Sequence, residues 1–248
     1  MRAGVFDSGI GGLTVVKSLL EDKLFEHIVY FGDTARVPYG IKDKNTIIRY
    51  SLEALEFFKN FDLDIIIIAC NSVSAYALEE LRANTSIPVV GVIQSGVKAL
   101  KNKTISKDDH ILVIGTTATI KSNQYQQLLQ KQGYNNITSI ATSLFVPLVE
   151  EGILSGDILE ATFKHYFNTV KDIDAVILGC THFPLIQDQI STFLHDAKTI
   201  HSGDAIVEYL KENYSCKEKF KDTTIEFFAS SNPSELKTIA AKWLKKEL

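Results

Sequence analysis

Asp64-Ile65-Ile66-Ile67-Ile68-Ala69-Cys70-Asn71-Ser72 and Asp174-Ala175-Val176-Ile177-Leu178-Gly179-Cys180-Thr181-His182 carry one pattern twice. Each stretch opens on an aspartate, continues through apolar and mostly branched residues, and ends on a cysteine followed by small polar groups. A short apolar run bounded in this way reads as a strand buried on both faces. The cysteine then stands at the strand's carboxyl end. The shift from position 70 to position 180 is 110 residues, and at a shift of 109 Asp7 meets Thr116, Val37-Pro38 meets Val146-Pro147, and Pro88-Val89 falls near Ala197-Lys198. Any chain of alternating strands and helices matches itself loosely at some shift. Four strands in one order, with a cysteine closing the third in both copies, indicate a duplicated fold.

Outward from these stretches, further β-branched runs occur at Ala3–Phe6, Ile28–Phe31, Val89–Ile93, His110–Ile114, Ile137–Ala141 and Lys198–His201. Between them lie amphipathic segments such as Thr46–Asn60, Gln124–Gln132 and Gly156–Val170, with apolar residues three and four apart. Strand–helix alternation predicts βαβ units and parallel pairing. The expected fold is α/β, with two similar pseudo-symmetric halves, each a mostly parallel sheet flanked by helices, and an active site in the cleft between them. The duplication covers roughly 1–92 and 108–203, with a soft boundary near Gln94–Asp109. A strand at Thr224–Ala229 and a helix from Pro233 to Lys246 are too short to fold alone. They are expected to return to the first half, giving units of 1–93 plus 205–248 and 94–204.

Composition narrows the function. The 248 residues are 45% hydrophobic and 23% charged, which is ordinary globular usage and excludes collagen-like, disordered and disulfide-scaffold classes. With 26 Lys+Arg against 30 Asp+Glu the net charge is −4, so the basic excess of a nucleic-acid binder is missing. The longest apolar run, Ile65–Cys70, is far short of the ~20 residues of a membrane span, and no signal peptide is read at the N-terminus. No membrane partner and a cytoplasmic location are expected. Cys70, Cys180 and Cys216 are an odd number for a disulfide framework, and neither a CxxC pair nor a Cys/His cluster suggests a metal. Cys216, in the polar segment Asn213–Phe220, reads as a surface thiol.

Ligands of open parallel sheets bind beyond the carboxyl ends of the strands. There the chain places Ala69-Cys70-Asn71-Ser72-Val73, with Asn71 or Ser72 as a helix cap before Val73–Arg82, and Gly179-Cys180-Thr181-His182-Phe183-Pro184, with Pro184 in the first turn of a helix running to His195. A lone cysteine after an apolar strand is more often a small buried hydrophobe. Two at equivalent places of a duplicated fold are better read as thiols facing one cleft. The loop Asp7-Ser8-Gly9-Ile10-Gly11-Gly12 offers backbone N–H groups to an anion. Its spacing is not G-x-G-x-x-G, and no acidic residue is read at the end of the second strand, so a dinucleotide site is disfavoured. Gly115-Thr116-Thr117-Ala118-Thr119 supplies hydroxyls at a helix start, one of them expected as its cap. Val37-Pro38-Tyr39-Gly40 forms a rigid turn suited to ligand contact.

Together, Asp7-Ser8-Gly9-Ile10-Gly11-Gly12, Phe31-Gly32-Asp33-Thr34-Ala35-Arg36-Val37-Pro38-Tyr39-Gly40, Ala69-Cys70-Asn71-Ser72 and Gly179-Cys180-Thr181-His182-Phe183-Pro184-Leu185 resemble the glutamate racemases of the aspartate/glutamate racemase family. The resemblance runs the length of the chain. It implies an enzyme without a cofactor or metal that interconverts L- and D-glutamate, supplies D-glutamate for peptidoglycan, and forms a homodimer. It further implies Cys70 and Cys180 as the two bases, Asp7 beside Cys70, and Glu150 with His182 beside Cys180. The implied substrate contacts are Ser8, Pro38, Tyr39, Gly40, Asn71, Ser72, Thr116, Thr117, Thr119 and Thr181. Where the family commonly has Cys-Asn-Thr-Ala-Ser-Ala, this chain has Cys70-Asn71-Ser72-Val73-Ser74-Ala75, which keeps the hydroxyl and adds bulk at Val73. Three other readings stay open on the residues: a racemase for aspartate, a thiol redox sensor, and a non-catalytic anion- or protein-binding module.

Overall fold

A computed structural model of the chain describes residues 1–214 and 219–244. Cys216 and Lys246 lie outside the described residues. In chain order the elements are β1 (Arg2–Asp7), α1 (Leu13–Asp22), β2 (His27–Gly32), α2 (Lys44–Phe58), β3 (Ile65–Ile68), α3 (Asn71–Tyr76), α4 (Leu78–Ala83), β4 (Val89–Gly91) and α5 (Val92–Asn102). They continue as β5 (Ile111–Gly115), α6 (Thr117–Lys121), α7 (Gln124–Lys131), β6 (Ile137–Ala141), α8 (Phe145–Glu150), α9 (Asp157–Phe167), β7 (Ala175–Gly179), α10 (Gln187–Phe193), β8 (Lys198–Ile200), α11 (Ser202–Asn213), β9 (Thr224–Ala229) and α12 (Pro233–Leu244).

Every expected strand forms; Ile137–Ala141 and Thr224–Ala229 keep their expected bounds, and the others move by one or two residues. The fourth stops at Gly91 because the Ser74 hydroxyl accepts the Val92 N–H at 3.2 Å and turns the chain into α5. The expected helix Val73–Arg82 starts earlier and is broken at Ala77 into α3 and α4. The one after Pro184 begins as a 3₁₀ turn, Phe183–Ile186, and ends at Phe193.

The strands form two all-parallel sheets, ordered β4-β3-β1-β2-β9 and β6-β5-β7-β8. Matching β1 to β5, β2 to β6, β3 to β7 and β4 to β8 turns one order into the other. The duplication read from the cysteine strands is therefore a duplication of topology, with β9 added beside β2. Period-two burial on both faces explains why the strands are apolar throughout. Ile65 and Ile67 of β3 enter one core and Ile66 and Ile68 the opposite one. In β7, Val176 and Leu178 face one core and Ala175 and Ile177 the other. Helix α11 joins the two sheets: Ile206, Val207 and Leu210 pack into the first sheet's core and Ala205 into the second's. Among the described residues no helix is long and apolar enough to cross a membrane.

One aromatic cluster bears on the site. Phe145 is fully buried and meets Phe163 at 5.4 Å, Tyr166 at 5.3 Å and Phe183 at 5.4 Å between ring centroids, and Phe183 directly follows His182. Phe145→Ala is expected to cost about 3–5 kcal/mol in urea unfolding, through lost burial and the cavity left behind. A loss below about 1 kcal/mol would show that this cluster does not hold the His182 loop.

Candidate active site

All four loaded loops leave the carboxyl ends of their strands; parallel pairing gathers two at the edge of each sheet, and contacts between the halves, such as Thr14–Thr181 and Ser72–Thr116, bring the two pairs together. They line a narrow, partly open cavity of about 20 Å³. Twelve of the fifteen residues expected at the site line it: Ser8, Pro38, Tyr39, Gly40, Cys70, Asn71, Ser72, Thr116, Thr119, Cys180, Thr181 and His182. Val37, Val146 and Gly179 line it as well and are not among those fifteen. Val37 and Val146 are the two members of one matched pair in the duplication, which was a usable signal.

Cys70 lies two residues beyond β3 and is itself the N-cap residue of α3. Asn71 and Ser72 do not cap, because their side chains are committed elsewhere. Asn71 Oδ1 accepts from the Tyr125 hydroxyl at 2.7 Å, and Ser72 Oγ lies 3.0 Å from Thr116 Oγ1 and 3.4 Å from Thr119 Oγ1. None of the three threonines caps α6 by its side chain either: Thr116 holds the N-cap place, but its hydroxyl joins Ser72 and Thr119. Thr117 turns from the cavity; its N–H donates to Ser143 Oγ at 3.1 Å and its hydroxyl pairs with the same oxygen.

The two thiols are free and almost fully buried, Cys70 at 6% and Cys180 at 7% exposure. Cys70 Sγ donates to Ser8 Oγ at 3.6 Å. Burial pushes this thiol up to about 12, the negative charges of Asp7 and Cys180 add to the rise, and the Val73 N–H and Ser8 only partly offset it. Asp7 stands behind the cavity wall: its Oδ2 accepts the Gly9 N–H at 3.0 Å and its Oδ1 the Thr181 hydroxyl at 3.3 Å. Burial raises its carboxyl above the ordinary range against the pull of His182 and the Gly9 and Gly12 N–H groups.

The second thiol has a different escort. Cys180 Sγ lies 3.7 Å from His182 Nδ1, and His182 Nε2 lies 3.1 Å from Glu150 Oε1. Burial alone would lower the imidazole, yet its hydrogen bonds to Cys180 and Glu150, with the charges of Cys180 and Asp7, push it up to about 10. His182 is 4% exposed and Glu150 34%, so the pair leads from the buried sulfur to a groove outside, which Glu150 lines.

Two contacts across the sheets fix the loops. Thr14 donates to the Thr181 carbonyl at 2.8 Å. A Cβ at Gly11 would fall 2.6 Å from His182 Nδ1, so only glycine lets α1 approach this closely. The reading that no carboxylate closes the second strand is corrected: Asp33 follows β2 directly and is fully buried. It cannot take a ribose, because Arg36 Nε at 2.7 Å, the Tyr39 hydroxyl and the Ser230 hydroxyl at 2.6 Å already occupy its oxygens. It anchors the Tyr39 turn instead.

Comparison with known proteins agrees with this architecture. The family model for Asp/Glu/Hydantoin racemase matches residues 14–210. A glutamate racemase of Nitratiruptor sp. is 64% identical over 99% of this chain and 97% of its own length. The crystal structure of glutamate racemase from Campylobacter jejuni superposes with a TM-score of 0.97 at 54% identity, covering 99% of this chain and 98% of that one. Glutamate racemase from Francisella tularensis, solved in complex with D-glutamate, gives a TM-score of 0.87 at 37% identity over 100% of this chain and 94% of its own. With the duplicated sheets, the paired cysteine loops and these relatives in agreement, the chain is a racemase and belongs to the Asp/Glu/Hydantoin racemase family.

Proposed function

We propose that the protein interconverts L- and D-glutamate by removing the Cα proton from one face and returning a proton to the other, with Cys180 and Cys70 as the two bases. One observation carries the reading: two buried thiols, one from each sheet, line a single small cavity. Inversion at carbon needs acid and base on opposite faces at once, and a duplicated cleft supplies that geometry. With L-glutamate, the Cys180 thiolate takes the Cα proton and the Cys70 thiol gives up its own, leaving Cys70 as thiolate and Cys180 as thiol. With D-glutamate the same steps run backwards. His182 and Glu150 serve Cys180, and Asp7 serves Cys70. Charge developing on the substrate carboxylate falls to the hydroxyls of Ser8, Ser72, Thr116, Thr119 and Thr181 and to loop N–H groups, all held in place beforehand.

The substrate assignment follows the relatives, which are named glutamate racemases. The units 1–93 plus 205–248 and 94–204 would form the jaws of the cleft. A homodimer, a cytoplasmic location and supply of D-glutamate to peptidoglycan complete the reading on the strength of the family resemblance. Incubation with L-glutamate in heavy water is expected to yield D-glutamate labelled at Cα, with no cofactor added. Faster conversion of aspartate would transfer the assignment to that substrate; no labelled product from either would sink it.

A further inference from the structure

The buried amide of Asn71 poses a question. Its Oδ1 accepts from Tyr125, but its Nδ2, equally buried, finds no partner among the described residues, and Asn71 lines the cavity. An unpaired buried donor is costly, and such groups mark places where a ligand completes the bonding. The side-chain oxygen and nitrogen of an asparagine are nearly the same shape, so only neighbours decide which one faces the ligand. Here the neighbour is Tyr125, which is 1% exposed and comes from α7, on the opposite sheet to Asn71; Ser202 bonds to the Tyr125 oxygen and leaves the Tyr125 proton for Asn71 Oδ1. Its ring also closes against the strand end before Cys180, where a Cβ at Gly179 would lie 3.3 Å from Cε2. One side chain thus touches both cysteine loops. Burial raises its hydroxyl above the ordinary tyrosine range, which keeps the proton it donates.

Resting on the glutamate reading above, we infer that Tyr125 is a positioning residue: its hydroxyl holds Asn71 with Nδ2 toward the cleft, where it donates to a substrate carboxylate oxygen. Without that hydroxyl the amide is free to flip. Oδ1 then faces the carboxylate, and attraction becomes repulsion.

The test is a double-mutant cycle in the full-length enzyme, with KM and kcat measured for both enantiomers. Tyr125→Phe is expected to raise KM about five- to tenfold, the range of one neutral hydrogen bond, while kcat stays within about twofold. Asn71→Ala should raise KM at least as much. Adding Tyr125→Phe to Asn71→Ala should change KM no further, because the partner is already gone. Additive losses, or a fall in kcat at unchanged KM, would overturn the inference. A second measurement needs no variant: the Asn71 side-chain amide resonance of the wild-type protein should shift when D-glutamate is added, and an unmoved resonance at saturation counts against the proposal. Wild-type enzyme inactive on glutamate would sink the parent reading; active enzyme with additive substitutions sinks this one alone.

Discussion

Replacing Cys70 by Ala is expected to lower racemisation by more than about 10³-fold, and Cys180→Ala to do the same, with little change in unfolding temperature. The size follows from the chemistry: a positioned acid or base contributes about 10²–10⁴-fold, and a missing one leaves the intermediate with no proton source on that face. The fold is expected to persist because each sulfur sits at a loop beyond its strand, and removing it opens space into an existing cavity. The two variants differ in a further readout. With Cys70 gone, Cys180 can still remove a proton from L-glutamate and return a deuteron to the same face, so residual exchange in heavy water should be confined to the L enantiomer. Cys180→Ala should show the mirror-image result, confined to D. Near-normal turnover in either variant refutes the two-thiol scheme, and exchange of the opposite enantiomer would interchange the two roles.

The second large effect is at His182. His182→Asn is expected to slow turnover about 10²-fold or more by removing the imidazole 3.7 Å from Cys180. The two enantiomers have equal free energy, so kcat/KM must fall equally in both directions, and a one-sided defect cannot be read there. It is read in isotope effects. Once proton transfer to or from Cys180 limits the rate, L-glutamate deuterated at Cα should show a larger primary effect than D-glutamate so labelled. Equal effects in both directions would place His182 outside this step. The variant should also differ in pH dependence. The folded imidazole is held at about 10 against an ordinary 6.5, because its hydrogen bonds to Cys180 and Glu150 outweigh burial. A folded value above the unfolded one contributes stability that is fully present below about 6.5 and is lost as pH rises through about 10. Wild-type stability should therefore decline between those limits, and His182→Asn should lack that part of the decline.

Much of the architecture is written locally. A strand such as Ile65–Ile68, apolar at every position, declares burial on both faces without knowledge of its neighbours, and the repeated cysteine ending declares the duplication. The errors share one cause. Asn71, Ser72 and Thr116 have the chemistry of helix caps, but each spends its side chain on a partner across the cleft, information that no local window contains. Asp33 carries no local mark for a similar reason: one of the partners that fix its role is Ser230, 197 positions away. Tyr125 has no local signature, since only packing brings it under both cysteine loops.

The smallness of the cavity has a consequence for recognition. Ser72 bonds to Thr116 and Thr119 in the wall of this narrow space, so a substrate carboxylate that takes these hydroxyls displaces contacts they already make. The incoming carboxylate then inherits hydrogen bonds that the empty protein already made among its own groups. Binding is an exchange of partners with small net gain, which favours loose capture and quick release. For a catalyst whose two products are each other's substrates, a grip that tightened on either hand would only slow the return of the other.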